Sequence, residues 1–236
     1  MSEFNFVKAV VCGNDFVIVE GDVEPQVIPS VLDRHFGIGG DGIILFEENR
    51  MRFFNPDGKK AEFCGNGTLA LSSLLLNRGD NVDFIVTDAG RVELNKEGAL
   101  FIKLPDPMVI MEEPLIIQVG VPHLLIPVDN LERVDVKGEG RRYTKTLENG
   151  NNVDWIEMMD EGIKIRTYER GVEDETLSCG SGVGAAGYWY SQVMGKEKFK
   201  VKTRGGEYQV LIQNGIWISA PVFFPFHGIY KGGNGV

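Results

Sequence analysis

Apolar residues along this chain fall mostly in short runs rich in valine, isoleucine and phenylalanine, the pattern of β-strands rather than of long amphipathic helices. Phe4–Val11, Asp15–Val19, Gly42–Phe46 and Met51–Phe54 are such runs, broken by glycine-rich turns, with one helical candidate at Pro29–His35. Thr68–Asn77 is different. It is an Ala, Leu and Ser stretch that is apolar almost all round, which predicts a helix buried on every side. Strands are predicted again at Val82–Thr87, Arg91–Leu94 and Leu100–Lys103, and the proline-rich, acidic segment Pro105–Pro114 suggests a crossing between domains. The second half then repeats the plan. Strand patterns at Leu115–Val121, Leu124–Val128, Val153–Met158 and Ile163–Tyr168 lead to a Gly/Ala-rich helix, Val183–Met194, and then to strands at Lys198–Thr203, Tyr208–Ile212 and Ile216–Ala220. The fold class expected is α+β.

The repetition also shows in spacing, which does not depend on where strands are drawn. Asn55 lies nine residues before Cys64, and Arg170 lies nine before Cys179. Each follows a β-run, and each cysteine opens a Cys-Gly-x-Gly turn that leads into a nearly apolar helix. Two copies of one unit, strands around a central helix, explain this most simply.

Composition narrows the function. The net charge is −10 and no dense basic run is present, so a nucleic-acid partner is not expected. No apolar stretch reaches the ~20 residues of a membrane span, and the first residues lack the basic-then-apolar order of a secretion signal, so neither membrane insertion nor export is expected and a cytoplasmic location is. Three cysteines, Cys12, Cys64 and Cys179, are too few and too scattered for a disulfide framework and offer no metal-ligand spacing. Cys12, inside an apolar run, reads as a small packing residue.

A glycine-rich turn entering a helix presents backbone N–H groups and the positive end of the helix dipole, which favours an anion. Gly65-Asn66 and Gly180-Ser181 would supply such donors to a carboxylate, and the same field stabilises the thiolate of Cys64 or Cys179. Two thiols acting on opposite faces of one carbon can remove a proton and return one, which inverts the centre. The N–H donors would stabilise the charge that builds on the carboxylate oxygens meanwhile.

The runs Asn55-Pro-Asp-Gly-Lys-Lys-Ala-Glu-Phe-Cys64-Gly-Asn-Gly and Glu169-Arg170-Gly-Val-Glu-Asp-Glu-Thr-Leu-Ser-Cys179-Gly-Ser-Gly resemble the two signatures of the diaminopimelate epimerases. Gly13-Asn14-Asp15-Phe16 and Gly37-Ile38-Gly39-Gly40-Asp41-Gly42 match further blocks of that family. The resemblance implies two similar domains, each a β-barrel-like sheet wrapped around a central helix, with the active site in the cleft between them. The expected halves are residues 1–112, completed by 222–236, and residues 113–221. It implies interconversion of LL- and meso-diaminopimelate, in lysine and cell-wall precursor synthesis, with no pyridoxal phosphate, other cofactor or metal. Cys64 and Cys179 would be the acid/base pair, with Asn14, Asn66 and Ser181 near the reacting centre. Asn55, Asn152 and Arg170 would read the far end of the substrate, Glu169 would lie beside the amino group, and His123 would support it. The partner implied is a small amino-acid substrate, and a homodimer is the candidate assembly.

The chain also departs from the family pattern. Val121 stands in Gly120-Val121-Pro122-His123 where the family usually has asparagine, and Lys8-Ala-Val-Val-Cys12-Gly lacks the usual methionine-histidine-glycine lead-in. Thr68-Leu69 replaces a common alanine-arginine. A related two-thiol racemase for another amino acid is therefore a second reading. A protein that binds a carboxylate without turning it over is a third, and it would have no need for paired cysteines.

Overall fold

The computed structural model describes residues 3–232 and divides the chain into two units. One comprises the residues up to Asn95 together with those from Val222 onward, and the other is Lys96–Pro221. The first unit contains β1 (Glu3–Val11), β2 (Asn14–Glu20), α1 (Ile28–Leu32), β3 (Gly42–Glu47), β4 (Arg50–Phe54), β5 (Lys60–Ala61), α2 (Gly65–Asn77), β6 (Phe84–Thr87) and β7 (Gly90–Asn95). The second unit contains β8 (Phe101–Lys103), β9 (Met108–Met111), β10 (Ile116–Val119), β11 (Val121–Pro127), α3 (Val136–Tyr143), β12 (Asn152–Met159), β13 (Gly162–Glu169), β14 (Asp174–Thr176), α4 (Gly180–Met194), β15 (Lys198–Lys202), β16 (Glu207–Ile212) and β17 (Ile216–Ser219). The last strand, β18 (Val222–Lys231), pairs antiparallel with β1 in the first unit. Residues 233–236 of the expected completing segment, and residues 1–2, lie outside the described residues.

The two units share one succession of strand pairings. In the first, β1 and β2 are antiparallel, β2 and β3 parallel, β3 and β4 antiparallel, β4 and β6 parallel, and β6 and β7 antiparallel, with β5 on β4. In the second, β10, β11, β12, β13, β15 and β16 follow the same order of senses, with β14 on β13. Each sheet wraps one helix. α2 packs on β1, β2, β4 and β18, and α4 packs on β10 to β13, β16 and β17. Both helices are buried nearly all round because their sequences are apolar nearly all round. No helix among the described residues is long and apolar enough to cross a membrane.

Several elements differ from the sequence expectation. The division falls at Asn95/Lys96 rather than at residue 112: β8 pairs with β17, and β9, inside the proline-rich segment, pairs with β10. A three- or four-residue strand carries no local mark of the sheet it will join, and prolines flanking an edge strand do not exclude it. The helix expected at Pro29–His35 ends at Leu32, because the Asp33 carboxylate accepts the His35 and Phe36 N–H groups at 2.8 Å each and turns the chain. α3 has two glycines and a charged surface with no apolar period, so only its Asp135 N-cap, accepting from Gly138 N–H at 3.0 Å, marks it. The central helices begin three residues earlier than the apolar pattern suggested. The glycine turn is itself the first helical turn, and Cys64 and Cys179 are the N-caps.

The glycines of these turns have a packing reason. A Cβ on Gly67 would come within 3.0 Å of Met51 Cε and 3.3 Å of Ile44 Cδ1. A Cβ on Gly182 would come within 2.6 Å of Asp154 Oδ1 and 3.3 Å of the His123 ring. Ile44 and Asp154 are equivalent: each lies two residues after the start of the strand parallel to β2 or β11, where Phe16 pairs with Gly42 and His123 with Asn152. The methionine methyl can swing aside, whereas the Asp154 carboxylate is fully buried and held from two sides. Gly67→Ala should therefore change stability by less than ~1 kcal/mol, since alanine's better helix propensity offsets the crowding. Gly182→Ala should cost about 1–3 kcal/mol. Urea unfolding of both variants measures the contrast, and equal effects would contradict it.

Candidate active site

Each unit carries one expected cluster. In the first, Cys64 caps α2 with extended backbone, its sulfur accepting from Gly67 N–H at 3.4 Å and its carbonyl from Thr68 N–H and Oγ1 at 2.9 Å each. Gly65 and Asn66 form the first turn behind it and are buried. The Asn66 amide donates to Asn14 Oδ1 at 3.3 Å, and Asn14 Nδ2 donates to Asp41 Oδ2 at 2.7 Å, so the two asparagines expected near the reacting centre do lie together. Asn55 is half-buried at the end of β4, in a turn closed by Gly58 N–H to Asn55 O at 2.9 Å.

Beneath Asn14 lies an ion cluster that sequence reasoning did not single out. Buried Lys8 meets Asp15 Oδ2 at 2.6 Å and also donates to the Gly39 carbonyl. Arg34 spans Asp15 Oδ1 at 2.7 Å and Asp41 Oδ1 at 2.6 Å. Burial alone would raise the Asp15 carboxyl, but hydrogen bonds from Arg34 and Lys8 outweigh it and bring its pKa down from 3.8 to about 2. The signal was present: a lysine inside an otherwise apolar strand, and an arginine beside the glycine block of residues 37–42.

In the second unit Cys179 caps α4 and is buried, with Gly180 behind it and half-buried Ser181 beside it. Its Sγ lies 3.3 Å from Ser181 Oγ, which lies 3.0 Å from His123 Nε2. His123 Nδ1 is 2.6 Å from Asp154 Oδ2, and Thr167 Oγ1 donates to Asp154 Oδ1 at 2.6 Å. Both ring nitrogens of His123 are thus engaged, Nδ1 with the carboxylate and Nε2 with the serine hydroxyl, so the imidazole links Asp154 to Ser181. Glu169 accepts from Thr176 Oγ1 at 2.7 Å and is hydrogen-bonded to the Cys179 thiol. Burial pushes the Glu169 carboxyl up, against the pull of those two bonds. Burial also pushes the Cys179 thiol well above its ordinary value, reinforced by the charges of Glu169 and Asp154 and opposed by Ser181 and the Gly182 amide.

The remaining expected residues lie together in the same unit. Asn152 Oδ1 accepts from Arg170 N–H at 3.0 Å, and the Arg170 guanidinium donates to the Asn149 and Gly150 carbonyls. Glu169 and Arg170 thus turn to different partners, one to the thiol and one to the loop. Asn151, a neighbour not singled out from sequence, is fully buried and stitches that loop, donating to Tyr143 O at 3.1 Å and Asn152 O at 2.9 Å. His123, Asp154 and Thr167 are all buried, and of these only His123 was singled out from sequence. The acid in Val153-Asp154-Trp155, between two strand residues, was the available signal for Asp154. Among the described residues no group of three or more His, Cys, Asp or Glu is arranged to hold a metal ion.

The Asp15 cluster generates an acid-stability prediction. A carboxyl with a depressed folded pKa contributes stability above its unfolded value, near ~4, which is lost as the pH falls toward about 2. Asp15→Asn, which also leaves Lys8 without its carboxylate partner, should lower stability at pH 7 by at least about 2 kcal/mol. Urea midpoints at pH 7, 4 and 2.5 should show the gap between wild type and variant narrowing at the lowest pH. A constant gap would contradict the assignment.

Comparison with known proteins identifies the family. The diaminopimelate epimerase family model matches residues 6–100 and 115–215. A diaminopimelate epimerase of Methanocella arvoryzae is 31% identical, covering 98% of this chain and 97% of that protein. One of Thermotoga maritima is 32% identical, covering 86% and 92%. Among solved structures, a phenazine biosynthesis protein of the PhzF family from Bacillus anthracis matches with a TM-score of 0.74 at 18% identity, over 98% of this chain and 100% of that one. A probable proline racemase of Agrobacterium radiobacter matches with a TM-score of 0.73 at 14% identity, over 98% and 93%. At these identities the solved structures speak for the fold, α+β with two sheet-wrapped helices, while the family match and its relatives speak for more: this chain belongs to the diaminopimelate epimerases, a family of isomerases.

Proposed function

We propose that this protein epimerises LL-2,6-diaminopimelate to the meso form without a cofactor, using Cys64 and Cys179 as an acid/base pair. The observation that carries the reading is the duplicated placement of a thiol at the N-cap of a buried helix, one in each unit. In this reading the N–H groups of the first turns, at Gly65-Asn66 and Gly180-Ser181, hold the α-carboxylate and stabilise the charge it gains as the α-proton leaves. One cysteine removes that proton as a thiolate while the other delivers one from the opposite face as a thiol. Burial and the neighbouring carboxylates favour the protonated form of Cys179, which suits it to be the donor in the first direction. Asn14 and Asn66 line the reacting centre, Glu169 lies beside the amino group, and Asn55, Asn152 and Arg170 read the distal end. The product would feed lysine and cell-wall precursor synthesis. A cytoplasmic setting, in which thiols stay reduced, and a homodimeric assembly belong to the same proposal.

A second reading, a two-thiol racemase for another amino acid, is favoured by one observation. Val121 occupies the place equivalent to Asn14: each follows a glycine of positive φ, Gly13 at 81° and Gly120 at 74°, and each lies two residues before the matched strand pairing. An amide present in one unit is thus replaced by an isopropyl group in the other. A buried amide rejects analogues that leave it unpaired, and valine applies no such penalty.

Cys64→Ala and Cys179→Ala should each lower epimerisation of diaminopimelate by more than ~10³-fold while preserving the thermal transition, and full turnover in either would exclude the two-base mechanism. Solvent deuterium uptake at Cα across a panel of amino acids tests the substrate. Diaminopimelate should exchange fastest and lysine slowly but measurably. Val121→Asn should raise the ratio of kcat/KM for diaminopimelate over lysine by about tenfold or more. An unchanged ratio would remove Val121 from the account of specificity.

A further inference from the structure

The equivalence of the two units makes the buried chain behind Cys179 unusual. His123, Asp154 and Thr167 occupy the places held in the first unit by Phe16, Ile44 and Phe53. Phe16 and His123 pair with Gly42 and Asn152, while Ile44 and Asp154 pair with Phe53 and Thr167. The first set is a plain apolar contact, with the Phe16 and Phe53 rings edge to face at 6.0 Å. The second is an acid, an imidazole and a hydroxyl, all buried. Since one copy of the unit packs this layer with apolar side chains, the fold does not require a charged one. Burying a carboxylate and an imidazole where hydrocarbon would serve is costly unless the groups are used.

We infer that Asp154 is a positioning residue for proton transfer at Cys179, holding His123 so that a hydrogen-bonded path runs from the thiol through Ser181 to the imidazole. The distances along it are 3.3 Å, 3.0 Å and 2.6 Å. The thiol proton moves to Ser181 Oγ as the Ser181 hydroxyl proton moves to His123 Nε2. The sulfur keeps the S–H electron pair and becomes a thiolate, the imidazole becomes an imidazolium, and Asp154, fixed by Thr167, faces the new positive charge. No co-reactant is needed. The path supplies what the epimerase reading requires when Cys179 is the base, namely a way to ionise a thiol whose surroundings oppose it. Burial, Glu169 on β13 and Asp154 on β12 oppose ionisation, Ser181 on α4 and the Gly182 amide favour it, and His123 on β11 faces the serine hydroxyl. The inference rests on that reading only for its use in turnover.

The sign of one substitution tests it. Were Asp154 merely a nearby negative charge, Asp154→Asn would ease ionisation of Cys179 and speed its alkylation. If Asp154 supports the imidazolium, the same change slows it. The measurement is the rate at which iodoacetamide modifies the Cys179 peptide at pH 7, followed by mass spectrometry in the whole protein without substrate. An approximately tenfold decrease is expected, because the thiolate is the form that reacts, and kcat for diaminopimelate should fall roughly 10²-fold with little change in KM. The double change His123→Phe with Asp154→Ile, which copies the first unit's apolar pair, keeps the test decisive if Asp154→Asn does not fold. It too should slow alkylation about tenfold. An unchanged or faster rate in either folded variant overturns the proposal. Because alkylation needs no substrate, the failure of diaminopimelate as substrate would leave this result standing, and the two failures are told apart.

Discussion

The close approach of a helix start to a sheet is the constraint on which both sites depend. The third residue of each central helix comes close to the strand beneath it, so close at Gly182 over Asp154 that only hydrogen fits, and less tightly at Gly67 over Ile44, where the Met51 methyl can give. That approach sets the N-terminus of an almost wholly buried helix at the end of a parallel strand pair, so the capping residue is held by backbone rather than by its own side chain's flexibility. A cysteine at the cap is then placed with the precision of the core. Relaxing the contact by an ångström would free the cap, the first-turn amides and the polar groups beside them together.

The two copies show what such a scaffold permits. In the first unit polar specialisation lies around the start of β2, in the Lys8, Asp15, Arg34 and Asp41 cluster beneath Asn14, and the layer under the helix is apolar. In the second unit the specialisation is in that layer itself, and Pro122 and Val121 stand where Asp15 and Asn14 stand in the first. A duplicated fold has thus moved its buried charges from one level to the other without altering the order of its strands.

Much of this was legible in the sequence because it was written in local pattern. The alternating β-runs, the two all-apolar helices and the matched nine-residue offsets depend only on residues near one another. Ser181 beside Cys179 was read from the glycine turn, whereas the grouping of Asn14 with Asn66, and of His123 and Glu169 with Cys179, followed from family resemblance. What escaped was non-local. The short strands β8 and β9 have no pattern that names their partners, so the unit boundary at Asn95 could not be placed from the proline-rich segment. Lys8, Asp154 and Thr167 are single polar residues in apolar strands, and which side of a strand faces the core is settled only when the sheet closes.

The pairing of β1 with β18 has a consequence for biosynthesis. Glu3 faces Lys231 across that pair, so the first unit draws on both ends of the described chain, whereas Lys96–Pro221 is continuous. During synthesis from the amino end, the second unit has its complete set of strands on the ribosome before the first does. The earlier-made half must hold an unpaired β1 edge while some two hundred residues follow, and β18, made after the other described strands, is the one that covers it. A nascent chain of this design is therefore exposed longest at its beginning, and chaperone capture or premature termination would act chiefly on the half that was made first.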